Sequence, residues 1–394
     1  MRVLIADKFP DQYIKKLKDS GIDVVYNPKL GENDLPEAAK DVDCLVVRST
    51  NVNATTIDNS KNLSLIVRAG SGVNNINIPA ANKRGIYVSN CPGKNSIAVA
   101  ELAIGLMITL DRRIPQNVID FRQGKWNKGE YSKAEGLFGK TLAIVGYGNI
   151  GREVAKRAQA MGMNIYAKDI AVIEGYGVKD FSEFNQILPI ADVVTIHLPQ
   201  TPQTKKLFDD KMFSYMKNGA IFINTSRAGV VDEEALIRAI NEKNLKVGLD
   251  VFDGEPESKS GPVSSRFQSL ENVYVTHHIG ASTEQAQNAV AEETVNIILQ
   301  FIKSGVIAHW VNKAKVTDSH FQLIVKHYDK PGVLHSVLDA LRQGNINLEE
   351  VENMIFDGGL IACCTMKLST PATAEMLESI RKNPDVLSYS HVAL

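Results

Sequence analysis

"TLAIVGYGNIGREVAKRAQAMGMNIYAKD", residues 141–169, carries the chain's strongest structural signal. An apolar run ends in Gly146, Gly148 and Gly151 and passes directly into a helical pattern. A glycine triplet alone says little, but between a strand and a helix it has the context that gives it meaning. The glycines permit a tight turn, close approach of a pyrophosphate, and close helix–sheet packing. The helix start, at Asn149 and Ile150, offers free N–H groups and a positive dipole end to phosphates. A second strand then ends in Asp169, roughly twenty residues further on, where a carboxylate can accept from ribose hydroxyls. It also repels a 2′-phosphate, so NAD is expected rather than NADP; the neighbouring Lys168 weakens that preference slightly.

On both sides of this segment the chain alternates strands and helices. Before it come "RVLIA", the helical "DQYIKKLKDSG", "DVVYN", "DCLVVRS", "LSLIVRAG" and "GIYVSN". After it come "DVVTIHLP", "AIFINTS", "VGLDVF" and "VYVTHH". Such alternation predicts parallel sheets with helices on both faces, here in two units joined by the buried helix "SIAVAELAIGLMITL". The helix "STEQAQNAVAEETVNIILQFIKSG" can return the chain towards the first unit. The last part, from "FQLIVKHYD" to "VLSYSHVAL", reads strand, helix, strand, strand, helix, strand, which is the ferredoxin-like split order. The expected fold class is therefore α/β: two Rossmann-like, doubly wound parallel-sheet domains plus a C-terminal ferredoxin-like α+β domain. The expected boundaries are 1–95 with 286–310, then 96–285, then 318–394. The segment 305–320 is the expected linker.

Composition sets limits on partners. Among 394 residues, 44 basic side chains stand against 45 acidic ones, for a net charge of −1. No global field draws a polyanion, so a nucleic-acid partner is not expected. The longest apolar run is too short for a comfortable bilayer span and carries Glu101, so no membrane partner is expected either. Cys44, Cys91, Cys363 and Cys364 show no C-x-x-C spacing, which argues against zinc and against a redox pair; no metal is expected. The N-terminus reads as a strand, and a cytoplasmic location is the default.

Three polar groups punctuate strand ends in the second unit: Arg227 in "NTSRAGVVDEEAL", Glu255 in "GLDVFDGEP", and the pair His277–His278 in "VYVTHHIGAST". Ligands of α/β sheets lie beyond the carboxyl ends of the strands. Oxidising a hydroxyl while hydride leaves requires a base that titrates near neutrality, which suits histidine. A carboxylate can orient the imidazole, and an arginine can hold a substrate carboxylate as a fork. By chemistry alone the arginine can equally be a surface ion pair, and Glu-Pro a turn. His197, Pro199 and Thr201 follow another strand at the same edge. Pro199 and Thr201 are expected to border the adenosine or ribose, and the His197 side chain to be packed rather than catalytic.

Together, "GYGNIGREVAKRAQAMGM", "MKNGAIFINTSRAGVVDEEAL", "GLDVFDGEP" and "HHIGAST" resemble the D-isomer-specific 2-hydroxyacid dehydrogenases, over residues 1 to 310. Within that family "RAGSGVNNINIPAANKRGIYVSNCPGKNSIAVAEL" looks most like the branch that oxidises D-3-phosphoglycerate. The resemblance implies catalytic roles for Arg227, Glu255 and His278. His277 stands where the family usually has proline. It also implies that Asp250 meets the nicotinamide end, that Thr225 and Ser226 lie near the ribose, and that Gly280 and Ala281 close over the nicotinamide. Arg227 and His278 border cofactor and substrate alike. Because the family binds substrate between its domains, the first unit should contribute backbone N–H groups at Ser71 and Gly72 for a carboxylate. Arg48 and Arg68 follow strands there and suit a phosphate, unless they are spent on ion pairs with carboxylates. Lys128 is a weaker candidate for added charge. Asn95 and Ser96 either cap the buried helix or line the cleft.

"KHYDKPGVLHSVLDALRQGNINLEEV" resembles the ACT domain, a small regulatory module that binds amino acids. That resemblance implies L-serine as effector, with His327, Asp329 and Asn347 as ligands, although some relatives carry asparagine where Asp329 stands. A module that only pairs subunits is the other reading. The functional expectation is NAD-dependent oxidation of a phosphorylated 2-hydroxy acid, D-3-phosphoglycerate, the first step of L-serine biosynthesis, by a homodimer or homotetramer. The alternatives are a reductase of glyoxylate, hydroxypyruvate or 2-oxoglutarate, and an NAD-sensing corepressor-like binding protein.

Overall fold

The computed structural model describes residues 1–171, 173, 177–181, 183–256 and 261–394. The chain forms two compact units, Met1–Asn312 and Lys313–Leu394. The first unit holds two parallel sheets.

The first sheet comprises β1 (Arg2–Ile5), β2 (Asp23–Tyr26), β3 (Cys44–Val47), β4 (Leu65–Arg68) and β5 (Tyr87–Asn90), in the order β2-β1-β3-β4-β5. Its strands are four-residue apolar runs, and Cys44–Val47 is buried throughout, as a parallel sheet covered on both faces requires. The helix Asp11–Asp19 covers one face with Ile14 and Leu17. The helix Glu284–Ser304 returns to the same face and adds Val290, Ala291, Val295, Ile297 and Ile298 to that core. Thr283 caps this returning helix, its hydroxyl accepting from the Ala286 N–H at 3.1 Å.

The second sheet comprises β6 (Thr141–Val145), β7 (Asn164–Lys168), β8 (Val178–Asp180), β9 (Val193–Ile196), β10 (Ile221–Asn224), β11 (Lys246–Leu249) and β12 (Val273–Val275). Its order is β12-β11-β10-β9-β6-β7-β8, so the winding reverses between β6 and β9. That reversal opens the crevice in which such sheets bind dinucleotides. The long helix Ser96–Arg112 links the two sheets and is apolar almost all round because it is buried. It approaches closely over Gly248, where a Cβ would come within 3.2 Å of the Leu106 Cβ.

The first half of the segment 305–320 belongs to the first unit. Val311 N–H donates to Val88 O at 2.8 Å, Asn312 Oδ1 accepts from the Val88 N–H at 2.8 Å, and the Trp310 ring meets Tyr87 edge-on. Residues 310–312 thus gain partners on β5 that a free linker lacks.

The second unit is a four-stranded antiparallel sheet of β13 (Phe321–Tyr328), β14 (Leu348–Ile355), β15 (Ile361–Leu368) and β16 (Val386–Ala393), ordered β14-β15-β13-β16. The helices Val333–Gln343 and Ala374–Arg381 pack Val337, Leu341, Met376 and Ile380 onto one face. This is the βαββαβ order expected from the sequence. No described helix is long and apolar enough to cross a membrane.

Candidate active site

Parallel register in the second sheet carries every strand's carboxyl end to one edge. The glycine turn leaves β6 there, His197–Thr201 leaves β9, Thr225–Arg227 leaves β10, Asp250–Glu255 leaves β11, and His278 follows β12. Residues far apart in sequence meet because the sheet aligns the points at which they leave it.

The glycine turn has the geometry of a phosphate cradle. Gly146 has φ +96°, and a Cβ on it would lie 2.6 Å from His197 O. A Cβ on Gly151 would lie 2.2 Å from Gly146 O, whereas nothing lies within 4 Å of one on Gly148. The outer glycines are thus demanded by the protein's own packing, and the middle one leaves open space above the start of the helix Asn149–Ala160. Asp169 accepts from Tyr147 N–H at 2.5 Å, Ile170 N–H at 2.7 Å and Ala171 N–H at 3.2 Å. Those donors fill three of a carboxylate's roughly four acceptor sites and leave one for a ribose hydroxyl. Lys168 turns its Nζ over the rings of Phe181 and Phe184.

At the neighbouring strand end, Thr204 Oγ1 donates to Pro199 O at 2.6 Å and accepts from the Thr201 N–H at 2.8 Å. The buried Thr225 hydroxyl has no hydrogen-bond partner among the described residues. A buried polar group of this kind fits a ligand with hydroxyls at that point. The cradle, Asp169 and Thr225 together suit NAD. His197 is tied to Thr195 Oγ1 at 3.0 Å, and burial pulls its pKa down to about 3, so it remains neutral at working pH.

Asn224, absent from the sequence reading, and Asp250, expected there at the nicotinamide end, hold the backbone at Arg227 and His278. Asn224 Oδ1 accepts from the Ser226 N–H and hydroxyl, at 3.0 and 2.8 Å, while its Nδ2 donates to Arg227 O at 3.0 Å. Asn224 therefore fixes the backbone from which the Arg227 side chain springs. Thr276 Oγ1 donates to Asp250 Oδ1 at 2.5 Å, and the same carboxylate accepts from Ile279 N–H and Gly280 N–H, each at 2.8 Å. With only 1% exposure, Asp250 clamps the turn that carries His278. That clamp matters because His278 is held at φ +51°, a left-handed conformation uncommon outside glycine. Asn224 acts within three residues of itself, whereas Asp250 reaches the neighbouring strand end, a pairing that no short-range sequence signal marks.

His278 Nδ1 donates to Glu255 Oε2 at 2.7 Å, and Glu255 Oε1 accepts from the Phe252 N–H at 3.0 Å. The hydrogen bond from Glu255 raises the His278 pKa above the usual imidazole value, against the opposing effect of burial. With Nδ1 engaged, Nε2 is the nitrogen left to exchange a proton. His277 lines a pocket of about 450 Å³ together with His278, Glu255, Phe252, Phe267, Val273 and Val275.

Facing His278 is a second pocket of about 450 Å³, lined by Asp7, Lys8, Arg48, Arg68, Asn95 and Ala281 among others. Neither Arg48 nor Arg68 makes an ion pair among the described residues, so the ion-pair reading of the sequence fails. Burial, together with repulsion from Arg227 and Arg48, pulls the Arg68 pKa down to about 10, and its buried Nε has no hydrogen-bond partner among the described residues. Arg227 is likewise lowered by burial, with Glu255 opposing the shift, and its Nη1 donates to Ser226 O at 2.6 Å. Its Nη2 lies where a Cβ on Gly72 would come within 2.4 Å. The N–H groups of Ser71 and Gly72 donate to no acceptor among the described residues. Arginine fork and backbone donors thus face one spot, as a carboxylate requires. Asn95 lines this pocket and does not cap the helix: its Oδ1 accepts from Ser71 Oγ at 2.7 Å.

In the second unit His327 is buried, with Nδ1 bonded to Tyr328 O at 2.7 Å and Nε2 to Asn353 Oδ1 at 3.3 Å. Asp329 and Asn347 are exposed, and Asn347 Nδ2 donates to Glu349 at 2.5 Å. Lys128 begins a short exposed helix, Lys128–Tyr131.

Residues 104–280 match the family model of the D-isomer specific 2-hydroxyacid dehydrogenase NAD-binding domain. The chain is 35% identical to a D-3-phosphoglycerate dehydrogenase of Methanocaldococcus jannaschii, over 91% of this chain and 68% of that one. It is 39% identical to a hydroxypyruvate reductase of Thermotoga maritima, over 76% of this chain and 97% of that one. An NAD+-bound 3-phosphoglycerate dehydrogenase of Entamoeba histolytica superposes with a TM-score of 0.67 at 29% identity, covering 79% of this chain and 99% of that one. The chain spans 62% and 50% of the lengths of the D-3-phosphoglycerate dehydrogenases of Archaeoglobus fulgidus and Arabidopsis thaliana.

Proposed function

Since the chain belongs to the D-isomer specific 2-hydroxyacid dehydrogenase family, we propose that it oxidises D-3-phosphoglycerate to 3-phosphohydroxypyruvate. The observation that carries this reading is the convergence of Arg48 and Arg68, which make no ion pair among the described residues, on the pocket that also meets His278. Bound NAD supplies the hydride acceptor. Arg227 and the N–H groups of Ser71 and Gly72 hold the substrate carboxylate, which turns the carbinol towards His278. The Nε2 of His278 takes the hydroxyl proton, and Glu255 stabilises the imidazolium that results. Arg48 and Arg68 take the phosphate.

On this reading residues 1–95 with 286–310 form the substrate domain and 96–285 the NAD domain. Residues 318–394 form a regulatory module in which His327, Asp329 and Asn347 meet L-serine. A cytoplasmic homodimer or homotetramer fits the same reading. The Thermotoga relative supports a second one, reduction of hydroxypyruvate at the same site.

The test is NADH formation from NAD and D-3-phosphoglycerate, with the ketone product trapped. No turnover under those conditions sinks the proposal. Replacing both Arg48 and Arg68 with glutamine should cut kcat/KM for D-3-phosphoglycerate by about 10²-fold or more, at 1.5–3 kcal/mol for each charged hydrogen bond. Hydroxypyruvate reduction should change little. Little loss on either substrate would favour the reductase reading. Adding L-serine to the same assay separates a regulatory second unit from one that only pairs subunits.

Glu255→Gln offers a check on proton transfer. Oxidation needs neutral His278, so its rate falls as pH drops through the raised imidazole pKa. Removing the carboxylate removes the main cause of that rise. The acidic limb of the oxidation profile should therefore move to lower pH, and the basic limb of the reduction profile should move the same way. An unmoved limb would mean that another group titrates.

A further inference from the structure

Lys8 leaves β1 at the point where the first sheet reverses its winding, between β1 and β3. Crevices at such switch points, beyond the carboxyl ends of the strands, are where α/β sheets bind ligands. Asp7, next to it, is 4% exposed and accepts from the backbone N–H groups of Arg48, Ser49 and Thr50 at 2.7, 3.0 and 3.0 Å. Its other oxygen accepts from Ser49 Oγ at 3.0 Å. Burial alone would raise the Asp7 carboxyl, but these donors hold it below the usual carboxylate range. Asp7 therefore ties the end of β1 to the end of β3 and brings Lys8 and Arg48 to one wall of the pocket.

Among the described residues, three cationic side chains, Lys8, Arg48 and Arg68, line that pocket against a single carboxylate, Asp7, which already accepts from three backbone N–H groups and the Ser49 hydroxyl. Lys8 makes no ion pair or side-chain hydrogen bond among the described residues. The excess of two positive charges matches a phosphomonoester, which carries about −1.5 to −2 at neutral pH. A substrate carboxylate does not account for it, since Arg227 and the 71–72 backbone already answer that group. We infer that Lys8 is a specificity-determining residue that binds the substrate phosphate, a role that rests on the phosphorylated-substrate reading above. An ammonium on a flexible stem suits this place, because it adds point charge to a phosphate whose orientation the arginines set.

The test is calorimetric titration of the NADH-saturated protein with D-3-phosphoglycerate and, separately, D-glycerate, for the wild type, Lys8→Met and Lys8→Arg. Methionine keeps the unbranched stem and removes the charge. Lys8→Met should weaken D-3-phosphoglycerate binding by about tenfold, as loss of one charged contact does. D-glycerate binding should be unchanged, and Lys8→Arg should recover most of the loss. In turnover the same pattern should appear in KM, with kcat unaltered. A wild-type preference for the phosphorylated acid that survives Lys8→Met overturns the assignment of Lys8 alone. Weakening of both acids together does the same. A wild type that binds the two acids equally overturns the phosphorylated-substrate reading and, with it, the role of Lys8.

Discussion

Replacing His278 with asparagine is expected to lower kcat by about 10²- to 10⁴-fold while leaving NAD affinity near the wild-type value. The loss follows from geometry: Nδ1 is committed to Glu255 at 2.7 Å, so the ring has one nitrogen for the substrate proton and a carboxylate to steady its charged form. Asparagine is the better first substitution because residue 278 stands at φ +51°, which asparagine tolerates and alanine resists. His278→Ala should be equally inactive but also less stable. His277→Pro should keep most of the activity, since the bond to Glu255 is made by His278 and residue 277 stands where the family usually carries proline. Calorimetric NAD titration beside steady-state kinetics separates the outcomes. Equal losses of turnover from changes at 277 and 278 would mean that the pair acts as a unit.

Arg227→Lys should cost about 10²- to 10³-fold in kcat/KM, the range for removal of a preorganised donor to developing charge. Lysine keeps the charge but cannot form the planar fork, and its ammonium does not reproduce the fixed contact over Gly72. The loss should be the same for D-3-phosphoglycerate and D-glycerate, because the carboxylate is common to both. This separates Arg227 from Lys8, Arg48 and Arg68, whose replacement should discriminate between those acids. Folding should not suffer, since Arg227 is a half-buried cation near Arg68 and only Glu255 opposes its lowered pKa. Thermal unfolding beside the kinetics tests this: a large fall in Tm would mark Arg227 as structural.

Much of the site was legible because its requirements are local. A glycine turn needs its φ angles and close approaches within a few residues, so Gly146 and Gly151 announce themselves between strand and helix. Arg227, Glu255 and His278 each follow an apolar strand, and parallel register aligns strand ends whatever the loops contain. Asn95 could not be placed from sequence, because capping and cleft lining use the same residue type at a helix start. Its bond to Ser71 decided the matter.

The strand–helix alternation, the split order of the second unit and the glycine turn can all be read along the chain, since each is written in residue periodicity or in a backbone conformation that favours glycine. Which charges go unanswered emerges on folding. Whether Lys8, Arg48 and Arg68 are neutralised depends on every carboxylate that folding brings near them, and chain position does not reveal that. The same holds for Asp250, which holds the turn at His278 from a neighbouring strand end. Its hydrogen bonds become possible when the strands align, and they then keep His278 at its positive φ.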